Sequence, residues 1–424
     1  MKKIVYIIVS LFFFQQFAMA QQEFDQPSVA KDYQERTFYR VQDGSMVSHD
    51  HTTWDIAFGL GMFDLGIFIN EAAGLSFTNP YPEVELYVTT GTDYDNADTM
   101  GMTRIFNDDV SWAEGAFNHV KNSESPLDFG WGDYDGQNNV VNGTRVFAVK
   151  LRSGVYKKIE IQSLIGGVYS FRYANLDGSN EVTQTINKSN YAGKSLVYYS
   201  LENDMIMDQE PDNWDFVFTR YVTTLAAPGG GFLDYRVTGL VSNAGVSVAQ
   251  ADGIDINTVD HNDYESAYVD SLLAIGHDWK IFGGGWSIAP NRVYFVKTTD
   301  DEIWRLRFID FEGSSTGVTT LERTFESEVT SVVDPEAFDH LSTFNVFPNP
   351  ASDLTYVSFD VNTSLRTAEL RLVNTLGQVI INRQVGIQNG FNVKEVPVSQ
   401  LPSGMYHVTL TVGNDLITQP LMVK

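Results

Sequence analysis

The stretch Phe344-Asn345-Val346-Phe347-Pro348-Asn349-Pro350-Ala351 opens the most readable part of this chain, residues 344–424. Pro348 and Pro350 restrict the backbone and keep Asn349 out of the helical region. Residues 370–373 and 406–412 alternate between apolar and polar side chains, which is typical of half-buried strands. Glycines between these segments mark turns. The pattern predicts a β-sandwich of about seven short strands.

The charge of the chain changes where this tail begins. Residues 344–424 carry five basic and five acidic side chains, whereas the whole chain has a formal charge of −26. All of the excess negative charge therefore lies before residue 344. Such a step in composition is typical of a domain boundary. The acidic body also argues against nucleic acid as a partner, because it would repel the phosphate backbone.

The tail resembles the type A C-terminal sorting domain of the type IX secretion system. The resemblance is carried by the proline-flanked start, a Leu-Gly-Gln turn, a Leu-Pro-Ser-Gly-Met-Tyr strand start and a basic last residue: Pro348, Asn349, Pro350, Gly377, Gly404, Tyr406 and Lys424. It implies export across the outer membrane by the type IX secretion machinery, usually with removal of the tail and attachment to the cell surface or release. The alternative is an Ig-like adhesion module that stays on the mature protein.

The first twenty residues have the pattern of a secretion signal. Met1-Lys2-Lys3 is basic, residues 4–14 are nearly all apolar, and Ala18-Met19-Ala20 forms a small-x-small cleavage site. We therefore expect a signal peptide over residues 1–20. No second apolar run of that length follows, so we expect no transmembrane segment in the mature chain. The absence of cysteine excludes disulfides, a thiol nucleophile and Cys-ligated metal sites.

The body contains an internal repeat. Residues 39–58 align without gaps on residues 199–218, and both segments end in a Trp-Asp-x-x-Phe strand. Each copy later closes with a hairpin that begins Val-x-x-Val-Lys, at 146–150 and at 293–297. The predicted organisation is a signal peptide at 1–20, a polar lead-in at 21–36, repeats at 37–190 and 191–327, a linker at 328–343 and the tail at 344–424.

Each Trp-Asp strand carries one aspartate, Asp55 or Asp215, among apolar residues. Because a buried carboxylate must be hydrogen-bonded, the structural interpretation is that each accepts backbone N–H groups at a strand end. The alternative is a pair of catalytic carboxylates, but no neighbouring acid, base or nucleophile completes a mechanism. The chain also lacks phosphate-binding glycine loops and the hydrolase motifs Gly-x-Ser-x-Gly and His-Glu-x-x-His.

The Trp-Asp strand and the closing hairpin of each copy resemble the HmuY-like family of β-rich haem-binding proteins. The resemblance implies a nearly all-β fold and a haem iron held by loop side chains, typically two histidines. Between the two motifs lie His119 in the first copy and His261 and His277 in the second, which makes them the candidate haem ligands. No histidine occupies the same place in both copies. The alternative is that all three are exposed or hydrogen-bonded residues.

Oxygen-rich loops offer calcium as a second candidate cofactor. Asp133, Asp135 and Asn138 lie in a loop in which Gly136 permits a tight bend. The spacing differs from the twelve-residue calcium loop, and the alternative is an ordinary Asx turn. Residues 264–274 are the best candidate for a helix.

The sequence thus predicts an all-β protein with a duplicated HmuY-like region followed by an Ig-like sandwich. The predicted function is a secreted or cell-surface, non-enzymatic binding protein exported by type IX secretion, with haem as the candidate ligand by resemblance. The alternative is a structural or adhesive surface protein with calcium-stabilised loops.

Overall fold

The computed structural model describes residues 22–61, 65–72, 84–89, 91–97, 101–108, 111–125, 127–227, 229–328, 340–374 and 377–424. The predicted signal peptide at 1–20 and most of the predicted linker lie outside these described residues. The described part is built from antiparallel β-sheets, which confirms the all-β prediction. None of its helices is long and apolar enough to cross a membrane.

The strands of the body are, in chain order, β1 (Gln22–Asp25), β2 (Glu35–Tyr39), β3 (Met46–Asp50), β4 (Ile56–Gly59), β5 (Ile67–Ile69), β6 (Glu85–Val88), β7 (Thr103–Ile105), β8 (Gly132–Asp135), β9 (Val140–Gly143), β10 (Val146–Lys150), β11 (Tyr156–Ile165), β12 (Val168–Asn175), β13 (Val182–Asn187), β14 (Leu196–Ser200), β15 (Met205–Met207), β16 (Phe216–Ala226), β17 (Phe232–Ser242), β18 (Ser247–Asp252), β19 (Lys280–Phe282), β20 (Trp286–Ile288), β21 (Arg292–Lys297), β22 (Glu302–Phe311) and β23 (Thr319–Glu328).

The helices of the described residues are short 3₁₀ turns: Lys31–Tyr33, His51–Thr53, Ala116–Asn118, Lys188–Tyr191, His261–Ala267 and Gly313–Ser315. The prediction of a helix over 264–274 is therefore wrong beyond its first turn. Asp260 caps the 3₁₀ turn by accepting the Asn262 N–H. Val269 then exchanges two backbone hydrogen bonds of 3.0 Å with Val248, which pulls the chain into an extended conformation. Tertiary strand pairing thus outweighs local helical propensity here.

The body strands form two units. Unit A comprises β4–β15, with one sheet in the order β13-β12-β11-β10-β6-β7, joined by β8 and β9, and a second in the order β15-β14-β4-β5. Unit B comprises β1–β3 and β16–β23, with sheets in the order β1-β23-β22-β21-β18 and β17-β16-β2-β3 and the small β19-β20 ribbon. Corresponding strands thus occupy corresponding places in the two units.

The units do not coincide with the two sequence repeats, because the repeats exchange their first strands. In unit B, β2 of the first repeat pairs with β16 of the second, with Tyr39 opposite Phe216. In unit A, β14 of the second repeat pairs with β4 of the first, with Tyr199 opposite Ile56. The predicted lead-in at 21–36 also belongs to the fold, since β1 pairs with β23 at the edge of the unit B sheet.

Apolar clusters among the described residues hold the body together. Unit A and unit B each have their own core, and a third cluster lies between them, which we call the seam: Phe38, Trp54, Ala57, Phe68, Leu196, Tyr198, Trp214 and Val217. The seam contacts repeat: Phe38 meets Trp214 edge to face, and Tyr198 meets Trp54 in the same way, each with ring centroids 5.0 Å apart. Burial of large aromatics makes the seam a main source of cohesion between the units.

The tail is a separate sandwich of the predicted seven strands. Its strands are β24 (Leu341–Phe347), β25 (Leu354–Val361), β26 (Thr367–Asn374), β27 (Val379–Gly386), β28 (Gly390–Pro397), β29 (Gly404–Val412) and β30 (Asp415–Val423). They form sheets in the order β24-β25-β28 and β27-β26-β29-β30, packed over one apolar core. Val393 and Tyr356 extend this domain onto the core of unit A.

The sorting-motif residues have structural partners within the tail. The Asn349 amide donates to the Pro420 carbonyl and accepts the Met422 N–H, both at 2.8 Å, so it clamps the start of the tail to its last strand. Gly377 has a φ of +79°, which the turn after β26 requires. Further contacts come from Gly404, which pairs with Val423, from the Tyr406 hydroxyl, which donates to Pro402, and from the Lys424 N–H, which donates to Ala351. Pro348 and Pro350 both follow cis peptide bonds.

Candidate ligand site at the seam

The two Trp-Asp aspartates are structural in their contacts. The Asp55 Oδ2 accepts the Glu202 N–H at 3.1 Å and the Ser200 hydroxyl at 3.2 Å, and the Asp215 Oδ2 accepts the Val41 N–H at 2.7 Å. Each carboxylate thus binds backbone of the exchanged segment that pairs beside it. Burial raises the pKa of both groups, that of Asp215 to about 6.

Two asparagines complete the same pattern. Asn70 donates its amide to the Trp54 carbonyl at 2.8 Å, and Asn243 donates to the Trp214 carbonyl at 2.8 Å. The backbone N–H of Asn70 also reaches the Asp55 carbonyl, as that of Asn243 reaches the Asp215 carbonyl. The equivalent bonds in both units show that the aligned Trp-Asp segments fold alike.

The three candidate haem histidines lie in different surroundings. His119 is exposed after the Ala116–Asn118 turn. The His261 Nε2 lies 3.2 Å from the Ser327 hydroxyl, and its ring packs edge to face on Phe295. The His277 Nδ1 lies 3.3 Å from the Tyr221 hydroxyl. The three histidines have different surroundings, and no contact among the described residues joins two of them. A haem site with two histidine ligands therefore stays a prediction.

The candidate calcium ligands form an Asx turn. Asp135 accepts the Gln137 N–H at 2.9 Å and the Asn138 side-chain amide at 2.6 Å. Asp133 lies two residues earlier on β8, where burial raises its pKa. Among the described residues, no group of three or more His, Asp or Glu side chains is placed to hold a metal ion. Calcium binding at this turn stays a prediction.

A cavity of about 110 Å³ lies at the seam. Strands of both units and the segment around Leu272 form its wall, which is largely apolar: Trp54, Phe68, Ile69, Ala72, Trp112, Leu196, Tyr198, Val217, Val222, Val241, Leu272 and Leu273. Its polar lining residues are Arg36, Asn70, Glu71, Asn107, Asp108, Thr219, Arg220 and Tyr221. None of the three candidate haem histidines contributes to it. Concave, apolar sites with a few polar groups between domains are the usual form of small-molecule sites.

Arg36 is the most unusual residue of this wall. It is only 5% exposed, and its guanidinium lies over three rings, at 4.1 Å from the centroid of Tyr198 and 5.1 Å from those of Phe38 and Trp54. One Nη donates to the Gln209 side chain. Its Nε has no hydrogen-bond partner among the described residues. Burial lowers the pKa of Arg36, and the nearby Tyr198 and Glu210 oppose that shift.

Glu71 is the buried acid of the same wall. Its carboxylate accepts the Asn107 N–H and, at 3.1 Å, the Val222 N–H. Burial raises its pKa to about 7 even though these hydrogen bonds favour the charged form. Glu71 therefore ties unit A to β16 of unit B.

The comparison of the two repeats does not reveal this site, because Arg36 and Glu71 have no polar counterpart in the second repeat. In the alignment of the two copies, the position of Arg36 corresponds to Leu196. Similarly, Asn70 corresponds by its hydrogen bonds to Asn243, so Glu71 corresponds to Ala244. The sequence signal for Arg36 was a charged residue within a short strand, β2, and such residues are too common on protein surfaces to be specific.

Comparison with known proteins identifies the tail. Residues 345–424 match the family described as secretion system C-terminal sorting domain. The tail is therefore a type IX sorting domain, and it indicates export to the cell surface or the medium. No curated protein matches the chain significantly. A solved crystal structure, described as a lipoprotein from Bacteroides fragilis NCTC 9343, is similar at 14% identity over 41% of this chain and 90% of its own, with a TM-score of 0.18. A likeness of that size carries no argument, and the HmuY-like resemblance stays a prediction.

Proposed function

We propose that this protein, exported by type IX secretion, is a non-enzymatic binding protein and that the seam cavity is its ligand site. The observation that supports the proposal is the cavity of about 110 Å³ at the contact between units A and B. Small-molecule sites occur preferentially at such domain contacts. A ligand held there would touch both units, so its binding would also stabilise their association.

The energetics favour an occupant. At about 24 cal/mol per Å³, an empty cavity of about 110 Å³ would cost roughly 2–3 kcal/mol if its wall were wholly apolar. This is an upper limit, because charged residues also line the cavity, and a ligand that fills the space would recover part of it. For scale, an engineered cavity of about 150 Å³ in another protein binds benzene. The seam cavity therefore suits a molecule of only a few non-hydrogen atoms.

Haem is far larger than the seam cavity, so haem binding would need a different site at His119, His261 or His277. The alternative function, a structural or adhesive surface protein with calcium-stabilised loops, would act through Asp133, Asp135 and Asn138. Both remain predictions of the sequence alone. A melting curve of the full chain with added haem or calcium tests each of them, since a ligand that binds only the folded state raises the melting temperature.

The direct test uses butyramide as a small neutral probe, followed by ligand-observed NMR and by the fluorescence of Trp54 and Trp112, which line the cavity. Ala72→Leu adds volume at the cavity wall, and Ala192→Leu adds the same volume at an exposed position. We expect the probe to bind the wild-type protein and Ala192→Leu, and to lose affinity for a folded Ala72→Leu variant. Absence of saturable binding to the wild-type protein, or equal binding to both variants, would refute the proposal.

A further inference from the structure

The buried guanidinium of Arg36 lacks a carboxylate partner. Buried arginines are normally paired, because an uncompensated charge in a low-dielectric interior is costly. Arg36 forms no ion pair within the described residues, and its Nε is left without an acceptor. Its contacts are the Gln209 side chain and the faces of three aromatic rings. These contacts hold the side chain in place, and none of them is an ion pair with a carboxylate.

Two nearby acidic groups, Glu210 and Glu71, form hydrogen bonds with backbone groups and not with Arg36. Glu210 influences Arg36 through space, but its carboxylate accepts the backbone N–H groups of Ser195 and Leu196. Burial raises the pKa of Glu210, whereas these hydrogen bonds and the charge of Arg36 oppose that shift. Glu71 is bound by two backbone N–H groups of its own.

Further positive charge lies around Arg36. Burial and the charges of Arg36, Arg220 and Arg236 hold the pKa of the fully buried His51 well below its usual range. Arg220 also lines the cavity. The acidic residues Glu71 and Asp108 line the cavity as well. The place for an anion is therefore the guanidinium of Arg36 itself, whose Nε has no acceptor among the described residues.

We propose that the seam cavity binds a small monocarboxylate, whose carboxylate lies against Arg36 and whose short apolar body lies against Trp54, Leu196 and Val217. The planar guanidinium matches a carboxylate, and the apolar wall matches a short hydrocarbon chain. Inorganic phosphate fits less well, because it needs several donors and the wall is largely apolar. This inference rests on the proposed function, since it specifies the ligand of the same cavity.

The test compares butyrate with butyramide, which has nearly the same shape without the charge, and with inorganic phosphate. Affinities for the full chain are measured by ligand-observed NMR and by thermal shift. We expect butyrate to bind about tenfold or more tightly than butyramide, because its carboxylate would form a charge-assisted hydrogen bond with Arg36 in a buried site. Arg36→Met should abolish that preference while butyramide still binds. Arg292→Met, which removes a surface arginine paired with Asp252 and Asp278, should leave it unchanged.

The outcomes separate the two proposals. If butyramide binds as tightly as butyrate, the cavity is a ligand site but the carboxylate inference is wrong. If phosphate binds more tightly than butyrate, the inferred ligand class is also wrong. If none of the three probes binds, the proposed function fails as well. Should Arg36→Met not fold, Arg36→Lys keeps the charge without the planar fork, and a butyrate preference as large as in the wild type would overturn the role given to the guanidinium.

Discussion

Replacing Asp215 with asparagine should reduce the pH dependence of the stability of the body. Asp215 is 2% exposed, and burial raises its pKa from 3.8 to about 6. A raised pKa means that the folded state holds a proton which the unfolded chain has already released. The folded state is therefore favoured below the unfolded pKa, and this stabilisation is lost as the pH rises through about 6.

The size of the effect follows from the shift. A shift of about two pKa units corresponds to roughly 3 kcal/mol over the whole titration. Between about pH 5 and pH 7.5, the loss of stability amounts to about 1.4 kcal/mol. Measurements begin at about pH 5 because the chain approaches zero net charge, and so lower solubility, near its pI of about 4.5. The asparagine side chain would keep an oxygen for the Val41 N–H but would not titrate.

The assay is urea unfolding at both pH values, followed by tryptophan fluorescence, since Trp54 and Trp214 lie at the seam. The wild-type protein should lose about 1.4 kcal/mol more stability between about pH 5 and pH 7.5 than the Asp215→Asn variant does. Asp310→Asn, an exposed change on β22 of the same unit, should keep the wild-type pH dependence. Equal losses in the wild type and Asp215→Asn would refute the assignment of this titration to Asp215.

Two further predictions concern packing and export. Gly143→Ala should lower the free energy of unfolding by at least about 1–3 kcal/mol, because the new Cβ would lie 1.8 Å from the Ile161 carbonyl oxygen. Gly136→Ala is the control and should cost much less, because the atom nearest to its Cβ is 3.5 Å away. Similar melting temperatures for the two variants would contradict the close approach of β9 to β11. Asn349→Ala should lower the fraction of the protein that reaches the surface, measured by protease accessibility on intact cells, because the clamp on β30 is lost. Asn414→Ala, at an exposed turn position, is the matched control, and equal export of both variants would count against the clamp.

Much of the fold could be predicted from local patterns. Alternating apolar residues at 370–373 and 406–412 predicted strands, and those residues lie in β26 and β29. The repeated Trp-Asp segments predicted two similar strands, and β4 and β16 pair in equivalent ways. The predicted helix over 264–274 was wrong because the pairing of Val269 with Val248 is a long-range contact that no local window contains.

The candidate site could not be predicted in the same way. Arg36 and Gln209 are far apart in the sequence, and Glu71 meets Val222 only because β16 lies beside unit A at the seam. The predicted histidines followed from a family resemblance and not from geometry. None of them lines the cavity at the seam.

The sequence by itself determined the β class, the neutral tail with its sorting motif, and the repeat, because strand alternation, turn residues and charge are properties of neighbouring residues. Only the tertiary structure decided that β2 and β14 exchange between the units, since either pairing would bury the same apolar faces. That exchange places Arg36 beside Trp54 and Tyr198 and leaves its charge facing a cavity. The ligand site is thus a product of long-range packing, which the linear order of residues does not encode in any local pattern.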